Sequence, residues 1–267
     1  MSCSGAEYAR YGGNTSCLEV TGGGRRLIFD AGTGIRPLGL DLARQVPVDI
    51  DIYFTHTHLD HISGLTFFAP LFGKENSVRL WAGHLETPYT LKKVVSNLMA
   101  APLYPVSLEV FQARVAFKEF KSGQPLACGE MAMRTAPLNH PNGATGYRVE
   151  FRGKSICYIT DTEHRGDGPD NAIVELCRGA DLMIYDSSYT DEEYPRYRGW
   201  GHSTWQEGTR VADAAGVGTL VVFHHDPSHD DAFMDGVARD VALARPGTAP
   251  NGLPRAIVAH EGLTLSP

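Results

Sequence analysis

A chain of 267 residues, 42% of them hydrophobic, is long enough to bury a sizeable core. Its formal net charge of -7 argues against broad binding to a phosphate backbone and for a soluble protein with a small substrate, while leaving room for a local basic patch. No apolar run approaches the roughly 18 residues of a membrane helix, no charged-then-apolar leader stands at the start, and five scattered cysteines without a CxxC pair suit free thiols in a reducing cytosol. The expectation is therefore one cytoplasmic domain over residues 1–267 with no membrane partner.

The chain opens on Tyr11-Gly12-Gly13-Asn14-Thr15-Ser16, followed by a hairpin over 17–20 and 26–29 that turns at Gly22, Gly23 and Gly24. Asp30-Ala31-Gly32-Thr33-Gly34 closes this hairpin and starts a helix reaching about residue 44. The glycines let backbone approach a site, and Asp30 either hydrogen-bonds the next loop or caps the helix. An apolar strand over 48–54 then delivers Thr55-His56-Thr57-His58-Leu59-Asp60-His61. Three imidazoles and one carboxylate within six residues are the usual ligands of zinc and similar ions. Crowded together they repel or stay half-solvated unless a cation gathers them, and the turn after His58 lets the segment face two points. A solvated polar loop does not explain why the cluster directly follows a buried strand.

Further on, residues 65–72 read as a helix, 78–81 as a strand and 87–101 as a helix with Leu91, Val94, Val95 and Leu98 on its apolar face. The stretch 102–120, with prolines and several rings, reads as irregular: a pocket roof, an interface or an anchored surface loop. A strand over 131–135 leads to His140. A hairpin over 145–151 and 155–160 ends at Asp161, a helix spans 170–178, and a strand over 181–185 ends at Asp186. The acidic run 191–194 reads as a solvated loop. Gly201-His202-Ser203-Thr204 precedes a helix over 206–215 with Ser203 or Thr204 as N-cap, so His202 stands beside a helix N-terminus suited to phosphate oxygens. A strand over 219–223 delivers His224 and His225, which point opposite ways. His229, Asp230 and Asp231 cap a helix over 232–244, and His84, His164 and His260 read as structural.

The run HTHLDH resembles the HxHxDH signature of the metallo-β-lactamase fold superfamily, and YGGNTSC followed by DAGTGI resembles one branch of it. In that branch a first strand and a Gly-x-Arg-Gly-Ser loop precede YGGNTS. Here only residues 1–10 stand before Tyr11, so the first strand is expected to be shortened or replaced. The resemblance implies an α/β fold, a four-layer αββα sandwich, and two divalent ions. His56, His58 and His140 would hold one ion, and Asp60, His61 and His224 (in preference to His225) the other, with Asp161 between them. Asp30 and Asp186 would hold these ligands from behind. Zinc is the expected metal, with manganese and iron compatible with the same donors.

Two ions about 3.5–4 Å apart lower the pKa of a shared water and clamp a phosphoryl or carbonyl oxygen. The resemblance therefore implies a metal-dependent hydrolase with Asp60 among its catalytic residues. The Gly-His-Ser-Thr run and the late strand-end His resemble the phosphodiesterase branch that includes ribonuclease Z and small-molecule phosphodiesterases. In that branch the His of this motif touches the phosphate and protonates the leaving oxygen. His202 is then a general acid or phosphate clamp, or else a helix cap. A small phosphodiester or cyclic nucleotide is the expected substrate. Nucleic acid ranks below it, because 162–180 lacks a basic arm and no basic face stands out. A glyoxalase II-type thioester hydrolase shares the metal set without needing His202, and a metal-free scaffold is the reading outside enzymology. A β-lactamase is opposed by Asp60 with Asp161, and a di-iron oxygen reductase by His58. Oligomeric state stays open.

Overall fold

The computed structural model describes residues 1–166 and 168–267, and the chain falls into two compact units. The first takes residues 1–2 and 14–121, the second residues 3–13 and 122–267.

In the first unit, β1 (Leu18–Gly22) and β2 (Arg25–Phe29) form an antiparallel hairpin. Gly23 and Gly24 both take positive φ, 54° and 72°, as a two-residue hairpin turn requires. β3 (Asp49–Phe54), β4 (Ser77–Ala82) and β5 (Arg114–Glu119) add in parallel, in the order β1-β2-β3-β4-β5. Alternate strand residues (Ile50, Ile52, Phe54, Val78, Leu80) share a buried core with Ile35 and Leu42 of α1 (Ile35–Leu42). The short α2 (Leu59–Ile62) and then α3 (Leu91–Leu98) follow, and Leu91 and Val95 complete that core. Asp51, of opposite parity on β3, is buried and accepts from Arg79 Nε (2.5 Å), Arg25 Nη2 (2.5 Å) and Trp81 Nε1 (2.9 Å).

Three readings of this unit need correction. Residues 65–72 are not an α-helix but parts of two 3-10 turns, Ser63–Phe67 and Ala69–Phe72, split at Phe68, whose ψ of 99° is extended. Pro70 has no N–H for an α-helical bond, and its ring would clash one turn back. The helix over 87–101 shrinks to α3, which starts where the Thr90 side chain accepts from Lys93 N–H (3.3 Å). The stretch 102–120 contains β5, whose alternation is muted because this edge strand leaves Arg114, Lys118 and Glu119 exposed.

In the second unit, β6 (Leu126–Cys128), β7 (Met131–Leu138), β8 (Ala144–Phe151) and β9 (Lys154–Ile159) run as an antiparallel meander. β10 (Leu182–Asp186), β11 (Thr219–Phe223) and β12 (Ala256–Val258) continue the sheet in parallel from β9. Parallel neighbours need long crossovers, and α4 (Asn171–Cys177), α5 (Trp205–Ala215) and α6 (Asp231–Ala244) supply them. Asp170, Thr204 and Asp230 cap these helices by accepting from Ala172, Glu207 and Phe233 N–H. Ile173, Cys177, Val211, Ala212, Met234 and Val241 from the helices bury against Cys157, Ile159, Met183, Leu220 and Val222. The three-residue strands β6 and β12 carry too short a pattern to be read from sequence.

All five cysteines are free thiols. Among the described residues no helix is long and apolar enough to cross a membrane.

Candidate metal centre

In each unit parallel register gathers the chemistry at one sheet edge. In the first, Phe29 pairs with Tyr53 and Phe54 with Ala82, so the residues after β2, β3 and β4 emerge together: Asp30, the His56–His61 loop and His84. Gly32 permits a close approach to this loop, since a Cβ there would lie 2.2 Å from the Asp60 carbonyl oxygen. Asp30, buried and at a φ of 61°, accepts from Thr55 N–H (2.7 Å), from the Thr55 hydroxyl and from His61 Nδ1 (2.9 Å). With its proton committed to Asp30, the Thr55 hydroxyl accepts from His56 Nδ1 at 3.1 Å. Both imidazoles are thereby set in the tautomer whose Nε2 lone pair serves a metal. Of the two readings of Asp30, the hydrogen bond to the histidine loop is the one present.

His56 and His58 stand with perpendicular rings, centroids 4.5 Å apart, and each offers a ring nitrogen within 4.8 Å of the other. Asp60 and His61, together on α2, offer ligand atoms at similar spacing. His84, read from sequence as merely structural, bonds Thr57 Oγ1 through Nε2 at 3.1 Å and lies 6.4 Å from the His56 ring. Its only sequence signal is its place directly after a strand parallel to β3.

In the second unit β7, β9, β10 and β11 all run the same way, which brings His140, Asp161, Asp186 and His224 to one edge. Asp161 and His224 hold φ of 55° and 64°, a left-handed conformation uncommon for side-chain-bearing residues and typical of constrained functional sites. Asp161 Oδ2 lies 3.7 Å from His140 Nε2, and Oδ1 lies 3.4 Å from His224 Nε2. Two donors about 2.1 Å from one zinc at the tetrahedral angle sit roughly 3.4 Å apart, so each carboxylate oxygen is spaced to share an ion with one histidine. The donor chemistry fits divalent metal.

His140 donates Nδ1–H to the Gly201 carbonyl at 2.8 Å, which leaves Nε2 toward Asp161. Asp186, fully buried, accepts from Thr162 N–H (3.1 Å), Ser188 Oγ (2.8 Å) and His202 Nδ1 (3.1 Å). Ser188 Oγ in turn lies 3.0 Å from His224 Nδ1, so one carboxylate orients two histidines. The His202 ring stacks on that of His224 (5.1 Å, 18°), and its Nδ1 lies 3.8 Å from Asp161 Oδ2. Thr204 is the cap of α5, so His202 precedes the cap by two residues. His225 turns elsewhere: its Nε2 donates to the Ala259 carbonyl at 2.9 Å, and burial pushes its pKa down to about 4.

Several partners were not read from sequence. Glu163 accepts from Tyr194 OH (3.0 Å), Gly199 N–H (2.8 Å) and Gly201 N–H (3.0 Å), fixing the loop before His202. His164 bonds Ser203 Oγ at 3.0 Å and lies against the Tyr194 ring, while exposed His260 bonds the Glu261 carbonyl. The acidic run 191–194 is not simply solvated. Asp191 accepts from Arg210 (2.9 Å) and the Thr204 hydroxyl (2.7 Å), and Glu193 pairs with His229 (2.9 Å).

The family model described as "Beta-lactamase superfamily domain" matches residues 25–225. Ribonuclease Z of Gemmatimonas aurantiaca is 26% identical over 285 residues, covering 87% of this chain and 88% of its own. Among solved structures, the metallo-β-lactamase fold protein YhfI from Bacillus subtilis aligns with a TM-score of 0.68 at 18% identity, over 93% of this chain and 90% of that one. A diphosphatase from the PhnP family aligns at 0.65 and 22% identity, over 94% of this chain and 84% of that one. These structures share the α/β fold of the metallo-β-lactamase type. The chain belongs to the beta-lactamase superfamily, and over 87% of its length it is similar to a ribonuclease Z.

Proposed function

We propose that the chain is a metal-dependent hydrolase of phosphodiesters in which His202 serves the phosphate. The observation that carries this reading is the setting of His202. It precedes the N-terminus of an eleven-residue helix, stacks on His224 and holds its Nδ1 on a buried carboxylate. When His202 carries its second proton, Asp186 balances the charge, and the imidazolium can bind a phosphate oxygen or protonate the leaving one. A thioester hydrolase has no need of such a group.

The family pattern supports His56, His58 and His140 as ligands of one divalent ion and Asp60, His61 and His224 as ligands of a second, with Asp161 shared. Zinc is the metal these donors suit first, with manganese and iron compatible. Bound there, the ions would activate water and polarise a phosphoryl oxygen. The chain's own groups do the positioning: Asp30 and Thr55 turn His61 and His56, the Gly201 carbonyl turns His140, and Asp186 with Ser188 turns His224 and His202.

A small diester is favoured by the net charge of -7. RNA is the second reading, favoured by the ribonuclease Z relative that aligns over 87% of this chain. The test is hydrolysis of bis-p-nitrophenyl phosphate by zinc- or manganese-loaded protein, beside His202→Ala and Asp161→Ala and beside a precursor tRNA and a glutathione thioester. Diester turnover that collapses in both variants is the expected result. Cleavage of the RNA alone selects the second reading, and turnover of the thioester alone refutes both.

A further inference from the structure

Beside His202 stands a run that departs from the acidic character of the chain. Residues 194–200, Tyr-Pro-Arg-Tyr-Arg-Gly-Trp, carry two arginines, three aromatic rings and no carboxylate in a protein of net charge -7. The rings form a ladder. Tyr189, buried, lies edge-on to His202 (6.1 Å, 80°), Tyr197 stacks face to face on Tyr189 (4.2 Å, 4°), and Trp200 meets Tyr197 at its edge (5.5 Å, 84°). The ladder runs outward, ending on an indole that is 62% exposed. The loop is held rather than loose, because Glu163 accepts from the N–H groups of both Gly199 and Gly201, which flank Trp200. Arg198 lies over the Tyr194 ring at 5.7 Å, and both it and Arg196 are exposed.

A rigid exposed indole with cations beside it is the arrangement on which nucleic acid bases stack, and it works for any base because every base has a π-face. Its distance from the phosphate group is constrained by the chain. Trp200 is two residues from His202, so their Cα atoms lie within roughly 7 Å, close enough for one ligand to reach both side chains. We propose that Trp200 is a base-stacking subsite, so that the diester cleaved beside His202 carries a nucleoside on one side of its phosphate. This inference rests on the phosphodiesterase reading and narrows its substrate class. Arg196 and Arg198 serve the same ligand as exposed positive charges along the sugar-phosphate.

The test compares thymidine 5′-(p-nitrophenyl phosphate) with methyl p-nitrophenyl phosphate, two diesters that share a leaving group and differ by the nucleoside. Wild-type protein should prefer the nucleoside ester in kcat/KM. Trp200→Ala should lower that preference about tenfold, the size of one lost stacked base, through KM rather than kcat, and Trp200→Phe should keep most of it. Stacking is also read without turnover. Adenosine 5′-monophosphate should quench a component of the tryptophan fluorescence that is missing from Trp200→Phe, and ribose 5-phosphate should not. A preference that is unchanged in Trp200→Ala, or no Trp200-dependent quench by the nucleotide, overturns the proposal. Quenching without turnover of either ester supports the subsite and sinks the phosphodiesterase reading instead.

Discussion

Gly201→Ala tests whether the loop before His202 positions His140. At a φ of 87°, a Cβ on residue 201 would stand 2.3 Å from His140 Nδ1 and 2.4 Å from Pro141 Cδ, where ordinary contact begins at 3.4 Å. The imidazole must therefore retreat by about 1 Å, and its bond to the Gly201 carbonyl must stretch with it. The left-handed backbone adds a cost of about 1–2 kcal/mol for any residue with a side chain. Gly199 separates the two effects, since its φ is 88° and a Cβ there meets nothing within 4 Å. Gly199→Ala should lose stability through backbone strain alone. Gly201→Ala should lose that and also bind zinc about 10–100-fold more weakly, the usual consequence of disturbing a group that orients a metal ligand. The assay is zinc titration of metal-stripped protein against a chelator of known affinity, with thermal melts of both variants. Equal zinc affinity for the two variants would refute the role assigned to the Gly201–His140 contact.

Three further outcomes are expected. Asp186→Asn should cut kcat/KM for a diester about 10–100-fold and displace a limb of the pH–rate profile, because Asp186 contacts His202 directly and His224 through Ser188; a lower melting temperature with an unmoved profile would show a purely structural role. Asp51→Asn should cost about 3 kcal/mol in urea unfolding at pH 7 by leaving Arg79 and Arg25 without their buried carboxylate. Burial raises the Asp51 pKa, but the bonds from Arg79 and Trp81 outweigh it and hold it below 3.8; this stabilisation is complete above pH 3.8 and disappears as pH falls through the lowered value, so the gap between wild type and variant should close in strong acid and a constant gap would contradict the assignment. Stripping metal from protein previously equilibrated at a hundred times Kd should remove about 2.7 kcal/mol of stability, seen as a drop in Tm that zinc restores; an unchanged Tm would argue against resident metal.

What could be read in advance was what lies close together in the chain. The His56–His61 loop shows its donors within six residues, and Asp161 and His224 each follow a plain apolar strand. The α/β composition was legible for the same reason, through strands such as β11, a nearly continuous apolar run, and β3, whose apolar residues alternate with Asp49 and Asp51 before Tyr53 and Phe54. What could not be read depends on partners brought in by register. His84 reaches Thr57 across 27 residues only because β3 and β4 run parallel. Glu163 reaches Gly199 across 36 residues, and nothing near it in sequence marks it as an anchor. β5 escaped because an edge strand with three exposed charged residues lacks the alternation that a half-buried strand shows.

The anchoring by Glu163 separates recognition from reactivity within one loop. Its bonds to Gly199 and Gly201 go to main-chain N–H groups, and the grip of Gly201 on His140 is through a main-chain carbonyl. None of these contacts reads the side chains at positions 196, 198 or 200. Exchange at those three positions therefore leaves these main-chain bonds to the histidine loop in place. A lineage could acquire a new leaving group or a new base by changing exposed residues alone, while the machinery of bond cleavage is inherited intact. The same property makes the loop a natural place to begin altering specificity by design: a library confined to 196, 198 and 200 should retain fold and metal while it samples new substrates.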